Sequence, residues 1–344
     1  MASSGLTHFI HQSTSRQEAS EEEKLSQEFK ELLLSLPREK GWRTHYLYLF
    51  QGFWCTEDKI QGIDTFMNQF QAKDSDVVVA SAQKSGTTWL KALTFAIVNR
   101  QSFSSLENHP LLTSNPHQLV LSFEFDIYGN NRDKISLQSN MSDPRIFSTH
   151  IPFHALANSI KESHCKIVYI CRNLFDTFIS TWVFMNKVKP EYLPMLTLEE
   201  AFEMFSKGII QFGPWWNHML DYWKESIARP EKVLFLKYED LKEDVNFHVK
   251  RVAEFLGYPF TREEENSGVV EGVIKLCSFE KMKDLEVNKF GAFSKKVENK
   301  HFFRKAEIGD WENYLSPLMV EKLSKIIEDK LSGSGLSFRV HSSY

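Results

Sequence analysis

Residues 77–90 read VVVASAQKSGTTWL, and this stretch decides the fold class. The continuous apolar run Val77–Ser81 is typical of a β-strand that is buried on both faces. A small, hydroxylated turn follows and opens a helix predicted over Thr88–Val98. Backbone N–H groups at such a helix start, together with hydroxyls and the ammonium of Lys84, form a binding site for an anion. The turn is not a Walker sequence, because Lys84 precedes Gly86.

Three further apolar runs predict strands of the same kind. They are Arg145–Thr149, Lys166–Cys171 and Lys232–Tyr238. The segments between the runs are long enough for helical crossovers, such as one over Leu174–Lys187, which favours parallel pairing. The sequence therefore predicts a single α/β domain of three layers with a central parallel sheet.

Composition excludes several classes of function. The chain has 344 residues and a formal net charge of −4, so the positive excess of a general nucleic-acid or membrane-surface binder is absent. Its 4 cysteines are scattered and form no CxxC pair, which argues against a disulfide framework or a zinc site. No apolar run approaches the about 20 residues of a membrane span. We expect a soluble, cytoplasmic protein without a metal, nucleic-acid or membrane partner.

Both ends and two internal stretches are predicted to lack regular structure. Residues 1–28 are rich in Ser, Gln and Glu and read as a flexible tail, followed by a short amphipathic helix that ends near Pro37. Tyr128–Pro144 and Lys283–Lys300 read as long polar loops. The chain from Ser332 onward also reads as flexible.

Chemically active side chains follow the predicted strands, and ligands of open parallel sheets bind beyond the carboxyl ends of the strands. His150 follows the second run, and an imidazole with the usual pKa of about 6.5 suits proton removal from a hydroxyl. Arg172 follows the third run, and its planar guanidinium suits bidentate binding of phosphate. Ser180, on the next helix, is placed to face the same anion. The alternative for Arg172 is a local ion pair with Asp176.

A late cationic pair completes the pattern. Arg304 and Lys305 precede Gly309-Asp310-Trp311. None of the predicted strands is followed directly by the aspartate with which a P-loop nucleotidase holds magnesium. We therefore expect a nucleotide whose several anionic groups are bound by protein cations instead of a metal.

These motifs, in this order, resemble those of the cytosolic sulfotransferases, and in detail their plant branch. Lys84–Leu90 is similar to the 5′-phosphosulfate loop of that family. Arg172 with Ser180 resembles its 3′-phosphate site, and Arg304–Trp311 resembles its C-terminal signature. The resemblance implies a P-loop nucleotide-hydrolase-like fold and transfer of a sulfuryl group from 3′-phosphoadenylyl sulfate (PAPS), which leaves 3′-phosphoadenosine 5′-phosphate (PAP). The implied acceptor is a small molecule with a hydroxyl group.

The resemblance also implies the domain boundaries and the role of each residue. It divides the chain into a tail over 1–28, a sulfotransferase domain over 29–338 and a C-terminal tail over 339–344. His150 is implied as the base that deprotonates the acceptor, and Lys84 as the cation that stabilises the leaving phosphate. The other residues implied in donor binding are Ser85, Gly86, Thr87 and Thr88 around the 5′-phosphate, Trp89 and Phe279 on the adenine, Tyr238, Cys277 and Ser278 beside it, and Arg172, Ser180, Arg304, Lys305 and Ala306 at the 3′-phosphate.

Three residues depart from the family pattern. Gln83 stands where the family usually has proline, and Ser148 where it often has a basic residue. Ala306 stands where it has glycine, so a positive φ there would strain the backbone. These departures leave open a non-catalytic binder of PAP, PAPS or another small molecule. The lysine-bearing loop leaves a magnesium-dependent P-loop kinase or nucleoside triphosphatase as a further alternative.

The acceptor is the least defined part of the site. Flavonoids, hydroxyjasmonates and steroids are among the acceptors that the resemblance implies. The candidate pocket residues are Phe53, Trp54, Phe153, Trp182, Phe184 and His218. Aromatic side chains suit a flat or hydrophobic acceptor, although they are equally consistent with an ordinary core. The sequence leaves both the acceptor and the oligomeric state open.

Overall fold

A computed structural model describes residues 27–103, 106–129, 141–294 and 297–339 of the chain. The strands of these residues are β1 (Arg38–Lys40), β2 (Tyr46–Phe50), β3 (Phe53–Cys55), β4 (Val77–Ser81), β5 (Leu121–Ser122), β6 (Ile146–Thr149), β7 (Lys166–Cys171), β8 (Val233–Lys237), β9 (Ala292–Ser294) and β10 (Val297–Glu298). The helices are α1 (residues 27–35), α2 (Glu57–Gln69), α3 (Thr87–Asn99), α4 (Pro116–Leu119), α5 (Asn158–Glu162), α6 (Leu174–Val188), α7 (Leu198–Ser206), α8 (Trp215–Ala228), α9 (Tyr238–Glu243), α10 (Val245–Phe255), α11 (Arg262–Asn266), α12 (Val269–Leu276), α13 (Phe279–Lys283), α14 (Glu286–Phe290) and α15 (Pro317–Leu331).

The central sheet has the strand order β5-β6-β4-β7-β8, and every neighbouring pair is parallel. In β4, Val79 pairs with Ser148 of β6 on one side and with Val168 of β7 on the other. This register brings the carboxyl ends of β4, β6 and β7 to one edge of the sheet. The loops that follow these three strands therefore face the same space.

Successive side chains of a strand point to opposite faces of the sheet, and both faces are covered. Val78 and Ala80 of β4 belong to a core that includes residues of α2, α6, α7 and α8. Val77 and Val79 belong to a second core formed with α3, α10 and α12. Two cores on one sheet explain why β4 is apolar at every position but its last, and they confirm the predicted three-layer α/β fold.

The four predicted strands and the two crossover helices are confirmed to within a residue or two at each end. Three strand regions were not predicted, one of which is the antiparallel pair of β9 and β10. The aromatic stretch before α2 forms an antiparallel sheet in the order β1-β2-β3. Edge strand β5 has 2 residues, which is too short to show a periodicity in the sequence.

The prediction of one long loop over Lys283–Lys300 is wrong for the described residues. The segment contains α14, β9, β10 and the start of a 3-10 turn over Asn299–Phe302. Asparagines suggested a solvated loop, but Asn288 and Asn299 are buried. Their side-chain amides satisfy backbone carbonyls, with Nδ2 of Asn288 donating to Met282 at 2.8 Å and Nδ2 of Asn299 to Val287 at 2.9 Å.

The chain ends are only partly described. Residues 1–26 of the predicted N-terminal tail, residues 130–140 of the first predicted loop and residues 340–344 lie outside the described residues. The expected flexibility from Ser332 is wrong for the segment up to Phe338, because Leu336 is buried and Trp223 Nε1 donates to the carbonyl of Ser334 at 2.8 Å. Across the described ranges, no helix combines the length and apolarity that crossing a bilayer requires.

Candidate active site

A cleft of about 1260 Å³ opens at the carboxyl ends of β4, β6 and β7. We call the part around Lys84, Arg172, Arg304 and Lys305 the cationic end, and the part around Arg43, Tyr46, Lys59, Tyr192 and Gln211 the tyrosine end. The predicted residues that line the cleft are Lys84, Gly86, Thr87, Thr88, Trp89, His150, Arg172, Ser180, Phe184, Tyr238, Ser278, Phe279, Arg304, Lys305 and Ala306. The cations that lie far apart in the sequence therefore converge on one space.

The loop after β4 is held in one conformation by its backbone. Gly86 has φ of 107°, and a Cβ there would lie 2.9 Å from the ring of Tyr238, so a larger residue does not fit. Lys84 also has a positive φ, 62°, although it is not a glycine. Such a backbone costs roughly 1–2 kcal/mol for an L-residue, which marks this turn as a strained site. Thr87 Oγ1 lies 2.7 Å from Ser81 Oγ and ties the turn to the strand.

Lys84 is a cation without an anionic partner in the described part of the chain. Its Nζ lies 4.0 Å from the ring centroid of Phe184 and 5.9 Å from that of Phe302. Burial, together with the charges of Arg304 and Arg172, lowers the pKa of Lys84 to about 7. An anion bound nearby would offset the effects of burial and of the neighbouring positive charges on this pKa and would favour the ammonium form.

Arg172 forms the ion pair with Asp176 that was the alternative to phosphate binding, and it also lines the cleft. Its Nη2 lies 3.2 Å from the buried carboxylate of Asp176 and donates to the carbonyl of Glu307, while its Nε is buried without a hydrogen-bond partner. Asp176 also accepts from the backbone N–H groups of Gly309, at 2.9 Å, and Trp311, at 3.2 Å. One carboxylate thus fixes Arg172 and the C-terminal signature segment together.

The C-terminal pair is held by a second buried carboxylate. Arg304 Nη1 donates to Asp310, and Lys305 Nζ donates to the other oxygen of the same carboxylate at 2.6 Å. These cations lower the pKa of Asp310 against the opposing effect of its burial. Ala306 has φ of 56°, so the strain expected from the missing glycine is present.

His150 lies at the end of β6 with one ring nitrogen committed. Its Nδ1 is 2.7 Å from the carbonyl of Ser81, and since a carbonyl only accepts, Nδ1 carries the proton. The lone pair of Nε2 is then available on the other side of the ring. Burial lowers the pKa of His150 to about 4, and the charges of Lys91 and Lys84 add to the effect of burial against the Ser81 hydrogen bond. The imidazole is therefore neutral near pH 7, and a weaker base than its usual pKa suggested.

Glu124 and His218 support His150 from behind. The buried carboxylate of Glu124 accepts from the backbone N–H of His150 at 2.7 Å and from Thr149 Oγ1 at 3.1 Å. His218 Nε2 donates to the carbonyl of His150 at 2.9 Å, so its Nδ1 accepts from Tyr169 at 3.0 Å. His218 therefore lies behind His150, whereas the sequence had suggested a place in the acceptor pocket.

The structure does not bring the six residues predicted for the acceptor pocket together in one cavity. Of the six, Phe184 lines the cleft, whereas Phe53 and Phe153 are buried in the core. Trp54 and Trp182 pack partly buried against the same core, and Trp182 Nε1 donates to Leu196. Large aromatic residues fill interiors as readily as pockets, so their presence alone did not locate the acceptor. Two predicted donor residues, Ser85 and Cys277, are buried beneath the wall of the cleft.

The tyrosine end was not predicted from the sequence. It combines aromatic rings with polar groups, among them buried Lys59, whose Nζ lies 3.1 Å from Asp58 and 5.4 Å from the ring centroid of Phe125. Arg43 Nε and Gln211 Nε2 are buried donors without a hydrogen-bond partner within the described residues. Unpaired buried donors are costly, so this end is suited to a ligand that brings acceptor oxygens.

Lys91 and His117 also line the cleft without having been predicted. His117 lies between Thr88 and Lys91, and the ammonium of Lys91 donates to the carbonyl of Val120 at 3.0 Å. Ser148 Oγ donates to the same carbonyl at 3.5 Å, so a buried cation lies close to the residue that replaces the family's basic one. Lys91 and His117 form no recognisable sequence motif, which is why the sequence did not predict them.

Comparison with known proteins identifies the family. The sequence of residues 74–335, which is most of the chain, matches the protein-family model that describes the sulfotransferase domain. The chain is also 54% identical over 325 residues to cytosolic sulfotransferase 15 of Arabidopsis thaliana, covering 94% of this chain and 90% of that protein. The chain belongs to the sulfotransferase family. This membership confirms the predicted resemblance, including its plant branch, and the predicted enzyme class, a PAPS-dependent sulfotransferase.

Solved structures of sulfotransferases share the fold. The crystal structure of an Arabidopsis thaliana protein, provisionally named a steroid sulphotransferase, is 41% identical with a TM-score of 0.72, covering 92% of this chain and 97% of that one. Retinol dehydratase in complex with androsterone and inactive cofactor PAP has a TM-score of 0.70 at 20% identity, covering 90% of this chain and 96% of that one. The P-loop-like α/β fold is thereby confirmed, and the predicted cytoplasmic localisation agrees with the names of the cytosolic relatives.

Within the described residues, no group of three or more His, Cys, Asp or Glu side chains is arranged to hold a metal ion. The cationic end is instead lined by nitrogen donors on lysine and arginine. These groups bind anions and repel cations.

Proposed function

We propose that this sulfotransferase moves the sulfuryl group of PAPS to the hydroxyl of a small acceptor, with His150 as the general base. The observation that carries the proposal is the 2.7 Å hydrogen bond between His150 Nδ1 and the carbonyl of Ser81. It leaves the Nε2 lone pair available in a cleft that also contains the four side chains that define the cationic end. A base and a set of anion-binding groups in one space are what sulfuryl transfer needs.

The donor occupies the cationic end in this proposal. The turn from Ser85 to Thr88 and the ammonium of Lys84 bind the 5′-phosphosulfate, as expected for N–H groups at a helix start. Arg172, Ser180, Arg304, Lys305 and the backbone of Ala306 bind the 3′-phosphate. The adenine lies between Trp89 and Phe279, near Tyr238, Cys277 and Ser278. The support for these roles is that all of them but the buried Ser85 and Cys277 line the same cleft.

The chemical step uses two of these residues directly. The acceptor O–H proton passes to His150 Nε2 as the acceptor oxygen attacks sulfur in line with the bond to the 5′-phosphate. That sulfur–oxygen bond breaks, and its electron pair stays on the phosphate oxygen, where the Lys84 ammonium stabilises it. Bound donor also offsets the charges of Lys91 and Lys84, which contribute to the low pKa of His150. The base is therefore stronger in the donor complex than in the free protein.

The tyrosine end suggests the class of acceptor. Tyr46, Tyr192 and Phe125 supply apolar surface for a flat or hydrophobic molecule. The open donors on Arg43 and Gln211 favour an acceptor that carries a carboxylate or carbonyl away from its reactive hydroxyl. Among the acceptors implied by the resemblance, hydroxyjasmonates combine a hydroxyl with a carboxylate, so we place them ahead of neutral steroids.

The test is transfer of radiolabelled sulfate from PAPS to a panel of hydroxylated flavonoids, jasmonates and steroids, with a chelator present. We expect transfer by the native protein and a loss of about 10²–10⁴-fold in His150→Ala, with PAP binding retained. His164→Ala is the matched control, because His164 is exposed outside the cleft. Transfer that survives in His150→Ala refutes the assigned base. PAP binding without transfer to any acceptor would favour the non-catalytic alternative.

A further inference from the structure

Thr88, His117 and Lys91 form a hydrogen-bonded chain along the wall of the cleft. Thr88 Oγ1 lies 2.9 Å from His117 Nε2, and His117 Nδ1 lies 3.0 Å from Lys91 Nζ. Thr88 and Lys91 are three residues apart on α3, so their side chains share one helix face and a single imidazole reaches both. Lys91 and His117 are buried. The chain connects a buried ammonium with a hydroxyl of the proposed phosphosulfate turn.

The chemistry of these groups fixes where each proton lies. An ammonium has only donors, so Lys91 donates and His117 Nδ1 accepts. A neutral imidazole then carries its proton on Nε2 and donates it to Thr88 Oγ1. The His117 ring does not take up a second proton. Burial, together with the charge of the Lys91 ammonium at hydrogen-bond distance, holds the pKa of His117 well below its usual range. The hydroxyl proton of Thr88 is consequently left for another acceptor.

His117 is held so that it cannot turn away from this arrangement. Its backbone N–H donates to Asn115 at 2.9 Å within a capping box at the start of α4. Its ring stacks on Phe302 with the centroids 4.2 Å apart. The Lys91 ammonium is itself fixed by the carbonyl of Val120 at 3.0 Å. The Lys91 end and the central imidazole are therefore both held by contacts of the protein itself.

We propose that Lys91 is a positioning residue of the donor site, which selects the His117 tautomer that makes the Thr88 hydroxyl a hydrogen-bond donor to the bound phosphosulfate. The proposal rests on the proposed donor site. With the opposite tautomer, Nε2 would compete as an acceptor for the Thr88 proton, and the anion would lose that hydrogen bond. Lys91 thus acts on the donor through two intervening side chains, and it touches neither donor nor acceptor.

The test is a double-mutant cycle on PAP affinity, measured by calorimetry with Lys91→Met, Thr88→Val and the double variant. We expect each single variant to weaken PAP binding about tenfold, the loss of one hydrogen bond to a charged group. In the Thr88→Val background, Lys91→Met should have at most about a twofold effect, because the hydroxyl through which it acts is gone. Equal effects of Lys91→Met in both backgrounds would overturn the proposal.

Lys232→Met is the matched control, because Lys232 is also a buried lysine and donates to backbone carbonyls of Ser163 and Cys165 outside the cleft. It should reduce stability without changing PAP affinity, and a comparable loss of affinity would overturn the proposal. A second readout is the tautomer itself, from the ¹⁵N spectrum of histidine-labelled protein, with the His117 signals assigned from a His117→Gln sample.

The native protein should show His117 protonated on Nε2 alone, and Lys91→Met should show a population protonated on Nδ1. An unchanged tautomer in Lys91→Met contradicts the inference even if affinity falls. Failure of the native protein to bind PAP would refute the proposed donor site instead, and the spectrum would still test the effect of Lys91 on His117.

Discussion

The two ends of the cleft differ in how their charges are balanced. At the cationic end, the buried carboxylates of Asp176 and Asp310 pair with Arg172, Arg304 and Lys305, whereas Lys84 has no anionic partner within the described residues. At the tyrosine end, Lys59 lies beside the carboxylate of Asp58, and the buried donors Arg43 Nε and Gln211 Nε2 have no hydrogen-bond partner among the described residues. The first end is suited to a polyanion, and the second to a small molecule with mostly apolar surface and a few acceptor oxygen atoms.

The two ends also differ in how their residues are distributed along the sequence. The cationic end combines the turns after β4 and β7 with the segment around Arg304 and Lys305, and its backbone is strained at Lys84 and Ala306. Its residues therefore form short, contiguous motifs. The tyrosine end is assembled from side chains of separate segments: β2 and the chain before it, α2, the chain after α6 and the loop between α7 and α8. None of the five residues that define it has a positive φ. Its residues form no contiguous sequence motif, so the sequence did not predict this end.

The largest effect is expected from Asp176→Ala, which removes the carboxylate that joins Arg172 to the backbone of Gly309 and Trp311. Leaving a buried guanidinium unpaired should lower the free energy of unfolding by about 3–5 kcal/mol, and PAP binding should be lost with it. Chemical denaturation measures the change. Asp143→Ala is the control, because its pair with Lys73 is exposed, and about 0–1 kcal/mol is expected. Equal stability of the two variants would contradict the role given to Asp176.

Arg304→Met and Arg43→Met test whether the two ends bind different ligands. Losing a cation at the 3′-phosphate should weaken PAP binding about 100-fold, a cost of about 2.7 kcal/mol. Arg43→Met should leave PAP affinity unchanged and raise the acceptor KM about tenfold. Calorimetry with PAP and steady-state kinetics with varied acceptor separate the effects. If both variants weaken PAP equally, the division of the cleft is wrong.

The pH dependence of kcat/KM for the donor sharpens the account of Lys84. Since the pKa of Lys84 is about 7 in the free protein, its positive charge is present below pH 7 and lost above it, and kcat/KM should fall as the pH rises. An acid limb should appear near pH 4, where His150 becomes protonated. In Lys84→Arg the guanidinium stays charged, so the alkaline limb near neutrality should disappear. An alkaline limb that is the same in both proteins assigns it to another group.

The smallest effect is expected from Ala306→Gly. Glycine adopts a φ of 56° without strain, which offsets its greater freedom in the unfolded chain, so a gain of about 1 kcal/mol or less is expected. Thermal unfolding measures it. Ala292→Gly in β9, where φ is not positive, should instead destabilise the protein by about 0.5 kcal/mol. Destabilisation by both substitutions would show that residue 306 is not strained.

Local patterns in the sequence predicted the sheet and most of the cationic end. Continuous apolar runs gave β4, β6, β7 and β8, because strands buried on both faces need apolar residues at nearly every position. The strand-end rule then placed His150 and Arg172 at one edge without knowledge of any contact. Domain boundaries and residue roles stay predictions, since the fold alone does not test them.

Long-range contacts account for what the sequence did not show. Two backbone partners of Asp176, at Gly309 and Trp311, lie more than 130 residues away, and no local pattern records that separation. The buried asparagines of the segment after α13 resemble loop residues in composition, but they satisfy backbone carbonyls inside the protein. The aromatic residues chosen for the acceptor pocket pack in the core, because composition does not distinguish a cavity wall from an interior.

The most direct test of the account is calorimetric binding of PAP and of adenosine 5′-monophosphate, which lacks the 3′-phosphate, to the native protein with a chelator present. The account predicts that PAP binds at least about 100-fold more tightly, because cations from two separate segments, Arg172 and the pair Arg304 and Lys305, bind its second phosphate in the proposed donor site. Equal affinity for the two nucleotides, or PAP binding that requires a divalent metal, would contradict it.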